Sequence, residues 1–284
     1  MTAVAERPAP PARRGVPLRS KAAGWALNAY ASLALLYLFV PIFWIVAFSF
    51  NKPTGKFNIA WNEFTLDNWK HPFAEESLTD ALWVSLRVAL IATVVSTVLG
   101  TLIAMALARY QFKGSGLVNL LLILPLTSPE IVIGSSLATM FLDSGIMGVE
   151  VQFGYTTIII AHIMFQVSFV SLTVRARIRG FDWTLEHAAQ DLGATPWLTF
   201  RKVTFPLILP GILAGALLAF ALSIDDFIIT YFNAGSILTF PLQIYGASKV
   251  ELPPQINVLA TMILVVALAL MGMGTFWKAR RERA

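Results

Sequence analysis

A chain of 284 residues in which 57% of side chains are hydrophobic and 13% charged carries about half the charge of a soluble domain, where roughly 25% of residues are ionised. That imbalance argues against a water-soluble enzyme and points to lipid as the solvent. The net charge of +5 is scattered beside apolar runs, which argues against a nucleic-acid partner, and the lack of cysteine excludes disulfides and thiolate metal sites on this chain.

Residues 1–25, rich in Pro, Ala and Arg, read as a disordered basic tail. Six apolar runs follow, at 26–50, 82–108, 116–142, 155–174, 203–224 and 256–277, each near the length of about 20 residues that a helix needs to cross a bilayer. They do not alternate apolar with polar as barrel strands do, and a helix satisfies its own backbone in hydrocarbon. The expected fold is therefore an all-α membrane protein with six transmembrane helices over 26–277 and a short tail at 278–284. The first run is too long for a signal peptide's apolar region and ends in AFSFN rather than at a small-residue cleavage site, so it reads as an uncleaved span.

Lys and Arg cluster in the N-terminal tail, at Arg109 and Lys113, from Arg175 to Lys202, and after residue 277, whereas the alternate loops hold only Lys52, Lys56, Lys70 and Lys249. Basic loops stay on the cytoplasmic side, which predicts that both termini are cytoplasmic.

Three carboxylates fall in or beside apolar runs: Glu130 in the third, and Asp225 and Asp226 at the end of the fifth. Ionisable groups there are costly and normally face an interior cavity. With the rings of Trp44, Phe227 and Tyr231 supplying cation–π attraction, they form a candidate path for a cation. The plainer alternatives are that Glu130 accepts amides freed by Pro125 and Pro129, and that the aspartates are solvated at a helix end. Arg87 is the candidate partner for the aspartates, and His162 reads as a hydrogen-bonded packing residue.

Between the fourth and fifth runs lies TLEHAAQDLGATPWLTFRKVTFPLILPG, from Thr184 to Gly211. Asp182 can cap a helix beginning at Trp183, Gly193 suits the left-handed residue that ends it, and Thr195 with Pro196 can start another. The pair is either an interfacial amphipathic element or a docking helix for a cytoplasmic protein. No phosphate-binding loop is present: KPTGKF at Lys52 lacks the first glycine and the closing hydroxyl. Energy for moving a solute would then come from another subunit or from a gradient.

EHAAQDLGA, followed ten residues after Gly193 by Val203 and then by Phe205 and Pro206, resembles the EAA loop of the permease subunits of ATP-binding-cassette importers. SPEIVIGSSLATMF at Ser128, ARYQFKG at Ala108, AHIMFQVSF at Ala161, LSIDDFIITYF at Leu222 and LPPQINVLATMIL at Leu252 resemble the shorter, second permease of spermidine/putrescine importers. The resemblance implies the type I importer permease fold in a bacterial cell membrane, with residues 183–202 as the coupling loop. It places Glu186, His187, Ala188, Ala189, Asp191, Gly193 and Pro206 at the ATPase contact, with His187 where the family carries Glu. It implies two cytoplasmic ATP-binding subunits, a second homologous permease and an extracytoplasmic substrate-binding protein as partners, alongside membrane lipid. It also implies no cofactor on this chain, ATP and Mg belonging to the partner ATPase, and no covalent catalysis by the chain itself. Other readings of the same residues are a gradient-driven transporter using Glu130 or the aspartates as proton carriers, an importer permease for a different small solute, and a membrane scaffold.

Overall fold

A computed structural model of the chain describes residues 18–143 and 151–281. In chain order the elements are α1 (Leu18–Phe48), β1 (Asn51–Lys52), β2 (Glu63–Phe64), α2 (Asp67–Lys70), α3 (Glu76–Arg109), α4 (Ser115–Thr127), α5 (Glu130–Asp143), α6 (Tyr155–Ile178), α7 (Thr184–Asp191), α8 (Pro196–Thr199), a π-turn (Phe200–Thr204), α9 (Phe205–Ile224), α10 (Ile228–Asn233), α11 (Phe240–Ala247) and α12 (Gln255–Arg281). Of the tail expected at 1–25, residues 18–25 belong to helix α1, and of the tail expected at 278–284, residues 278–281 continue α12; residues 1–17 and 282–284 lie outside the described residues.

Among the described residues, four stretches are long and apolar enough to cross a membrane: Ala23–Phe48, Glu76–Arg109, Tyr155–Ile178 and Pro196–Ile224. The third apolar run differs from the single helix expected over 116–142. It consists of α4 and α5, bent by 112° about Ser128, whose backbone is extended at φ −81°, ψ 140°. Pro129 causes the break, because a residue preceding proline is driven out of the helical region and the proline itself donates no amide hydrogen. Counted as one span, this pair makes five; in α12 the apolar described stretch Gln255–Ala269 is shorter than a span.

The centre of the molecule is the mutual packing of α3, α6 and α9, with Ala104, Val170, Val174, Ile208 and Ala219 buried between them. Without a hydrophobic driving force in lipid, helices associate where small residues let backbones approach, and Gly100 on α3 is such a place. A Cβ there would lie 2.8 Å from Val170 and 3.0 Å from the Ser171 amide. Gly100→Leu is accordingly expected to cost about 1–3 kcal/mol through overpacking, read as a lower melting midpoint of the solubilised protein. A polar stitch accompanies this seam, where the Ser96 hydroxyl donates to Gln166 Oε1 at 3.0 Å.

At one end of this group the loops are tied together. Asn58 N donates to Leu252 O and Leu252 N to Lys56 O, while buried Asn51 donates to Asn58 Oδ1 and Ala60 O. Helix α1 packs against α12 and leaves most of its apolar surface uncovered.

Candidate functional site

Two regions at opposite ends of the central helices hold the residues singled out from the sequence. The first is the loop between α6 and α9. Helix α7 begins at Thr184, one residue later than expected, because Trp183 sits in the cap position. Asp182 still closes its start: one carboxylate oxygen accepts from the Thr184 amide at 3.0 Å and from its hydroxyl at 2.8 Å. Those bonds hold the Asp182 carboxyl below the usual carboxylate range, so this cap is complete above the ordinary pKa and is lost as pH falls through the depressed one.

Gly193 ends the helix with φ +86°, the left-handed conformation in which a side chain is strained. Thr195 then caps α8, its hydroxyl accepting from the Leu198 amide at 3.3 Å, with Pro196 in the first turn. His187, Ala188, Asp191 and Gly193 are exposed, Ala189 is half-buried, and Leu192 is 90% exposed. Pro206, at the start of α9, is also exposed.

Glu186 points the other way, as its helical offset of about 100° from His187 requires. It is buried, with one carboxylate oxygen accepting from Arg109 at the end of α3 and the other from the Thr204 hydroxyl. The Arg109 guanidinium also lies over the Trp183 ring, 5.3 Å from its centre. Sequence reasoning placed Glu186 with the docking residues and missed Arg109 and Thr204. Arg109 lies 77 residues away in sequence, so local spacing carries no signal for the pair.

The second region lies where the break in the third run meets the end of α9. Helix α5 packs on α10, with Asn233 donating to Gly134 O at 3.2 Å. This brings Glu130, exposed in the first turn of α5, within electrostatic range of Asp226 and Asp225. Asp225, the residue after α9, lines an open cavity of about 550 Å³ together with Phe227, Phe240, Tyr245 and Ser248. The Phe227 ring stacks on Tyr231 at 5.8 Å and lies against Tyr245 at 5.0 Å. The Lys249 ammonium sits 4.1 Å from the Tyr245 ring centre and donates to its hydroxyl at 2.9 Å. An ammonium group therefore already rests on this aromatic wall.

Three placements correct the sequence reading. Asp226 does not face the cavity beside Asp225. Its Oδ2 accepts from the Thr230 amide at 2.8 Å and hydroxyl at 2.7 Å, holding the start of α10, and lies 3.3 Å from His162 Nε2 with both side chains buried. The Thr230 hydroxyl proton is committed to Asp226, so His162 Nε2 is the donor in its 2.9 Å contact with that hydroxyl. His162 Nδ1 meets the Ser223 hydroxyl at 2.7 Å. The partner of Asp226 is thus His162 and not Arg87, which is exposed on α3. Trp44 stacks on Phe48 at 4.6 Å in α1, and among the described residues no hydrogen bond joins it to the acids. Tyr245 and Phe240, which complete the aromatic wall, were missed because their short helix α11 lies beyond the fifth run with no charged motif to mark it.

Comparison with known proteins places these observations among transport proteins. Residues 96–280 match the family described as "Binding-protein-dependent transport system inner membrane component". The chain is 35% identical over 244 residues, 86% of its length and 92% of the relative's, to the spermidine/putrescine transport system permease protein PotC of Haemophilus influenzae. It is 37% identical to PotC of Escherichia coli K12 over 235 residues, 82% of this chain and 86% of that protein. To the putrescine transport system permease protein PotI of the same organism it is 32% identical, covering 82% and 83% of the two chains. Among solved structures, a bacterial ABC transporter that imports the acidic polysaccharide alginate superposes with a TM-score of 0.67 at 13% identity, covering 93% of this chain and 99% of that one. A second structure of a bacterial alginate transporter, in complex with its pentasaccharide-bound periplasmic protein, gives 0.62 at 19% identity, covering 88% and 93%. At these identities the likeness is one of fold.

Proposed function

We propose, from the premise that this chain belongs to the binding-protein-dependent transport system inner membrane component family, that its cargo is a polyamine of the spermidine/putrescine class. The chain is an integral inner-membrane permease, a transporter component of an ATP-binding-cassette importer rather than an enzyme. The observation that carries the cargo assignment is the identity of 35–37% with spermidine/putrescine permeases across more than four-fifths of the chain. The cavity adds chemical support: Asp225 and the rings of Phe227 and Tyr245 match a flexible chain of ammonium groups, which carboxylates and π faces attract together.

In this reading two cytoplasmic ATP-binding subunits lie beneath the permease, and one of them docks on the exposed face of α7 and α8, where small and apolar residues allow close approach. A second, homologous permease pairs with this one, six spans cross the membrane with both termini inside, and an extracytoplasmic binding protein delivers the solute. Basic residues from Arg175 to Lys202 favour the cytoplasmic side for the loop. ATP binding closes the ATPases and moves the spans through the loop; hydrolysis resets them.

Energy source separates this mechanism from gradient-driven transport. In vesicles reconstituted with both permeases, the ATPases and the binding protein, spermidine uptake is expected to need internal ATP and to survive a protonophore. Uptake that collapses with the protonophore and ignores ATP contradicts the proposal.

A further inference from the structure

We infer that the Arg109–Glu186 pair is the strut through which the loop's motion reaches the cavity wall, so that Arg109, Glu186 and Thr204 position the transport machinery without touching solute. This rests on the reading of α7 and α8 as the ATPase contact.

Four observations carry it. Glu186 is the inward-facing member of a helix whose neighbours are exposed, and its two carboxylate oxygens accept from two different elements: Arg109 ends α3, and Thr204 precedes α9. Charge-assisted bonds of this kind are the strong ones. The Glu186 side chain is only 10% exposed, whereas that of Arg109, beside Met105, Ile178, Phe181 and Ile208, is 34% exposed, so the carboxylate end of the pair is sheltered while solvent partly screens the guanidinium end. The Trp183 face under Arg109 restrains the guanidinium from a third direction. Finally, α3 is a single helix of 34 residues, about 50 Å long at 1.5 Å per residue. Near its far end, buried Ser85 Oγ accepts from the Phe240 amide at 2.8 Å. That amide opens α11, whose Phe240 and Tyr245 wall the cavity beside Asp225. A displacement of α7 therefore pulls on a rod attached to the site wall at its other end. The Asp182 and Thr195 bonds lack this continuity, being local caps.

A strut predicts uncoupling, whereas a merely structural contact predicts less protein with unaltered stoichiometry. The test measures ATP hydrolysed per spermidine imported by the complete reconstituted transporter. Glu186→Gln is expected to raise that ratio at least about fivefold, Arg109→Lys and Thr204→Val about two- to threefold, each in complexes that still retain the ATPases. Glu186→Gln combined with Arg109→Met is expected to be no worse than the more severe single variant, since both remove one connection. An unchanged ratio in an assembled single variant, multiplicative effects in the double variant, or loss of the complex even in Arg109→Lys overturns the strut. Failure of the unaltered chain to retain the ATPases would instead overturn the docking reading on which it rests.

Discussion

His162→Leu is expected to be the most destabilising single change in the described part of the chain. Both side chains of the His162–Asp226 pair are buried, at 3% and 6% exposure. Removing His162 takes its contact from the Asp226 carboxylate, which keeps only the Thr230 bonds, and leaves the buried Ser223 hydroxyl without its ring partner, at about 1–3 kcal/mol for each buried polar group left short of a partner. The Asp226 carboxylate also secures the first turn of α10 through Thr230, so the loss spreads to the helix packed on α5. The solubilised protein should melt on the order of 10 °C lower. Replacing both members, as His162→Leu with Asp226→Leu, should recover part of the loss, because a buried pair exchanged for apolar side chains is often neutral. A single variant as stable as the parent would remove the pair from the account.

Asp225→Asn is expected to act on transport and leave assembly intact. Its carboxylate borders the open cavity and, unlike that of Asp226, is not committed to the hydrogen bonds that start α10. A hydrogen bond between charged groups contributes about 1.5–3 kcal/mol, which corresponds to roughly a 10- to 100-fold rise in the KM for spermidine uptake. Glu130→Gln, which removes a charge within electrostatic range of Asp225, should add a smaller increment in the same direction. Asp226→Asn separates the roles: the amount of folded protein should fall while the KM of what remains stays near that of the parent. Equal effects of the two aspartate variants on KM would refute the division.

The two adjacent aspartates show where sequence reasoning stops. Apolar runs located the long helices because that signal is local to each segment. Caps were legible for the same reason: Gly193, Thr195 and Pro196 stand where residue chemistry puts them. The break at Ser128–Pro129 was announced by Pro129, yet run length alone read through it. Asp225 and Asp226, in contrast, are neighbours of one type with opposite surroundings, and only the packing of α6 against α10 brings His162 to the second. The same holds for Glu186 and Arg109, and for Tyr245, whose aromatic neighbours meet only after α11 folds back onto α3. Pairings across such separations carry no spacing signal.

Passage of polyamines through this permease at the expense of ATP hydrolysed by its partners is the proposed function. The direct test is accumulation of labelled spermidine and putrescine, against a neutral sugar and an acidic oligosaccharide, in vesicles holding the complete transporter and its binding protein. Accumulation of the two polyamines alone, in fixed proportion to ATP consumed and depressed by Asp225→Asn, is the predicted result. Import of an uncharged or anionic solute in their place, or polyamine accumulation without ATP, would contradict it.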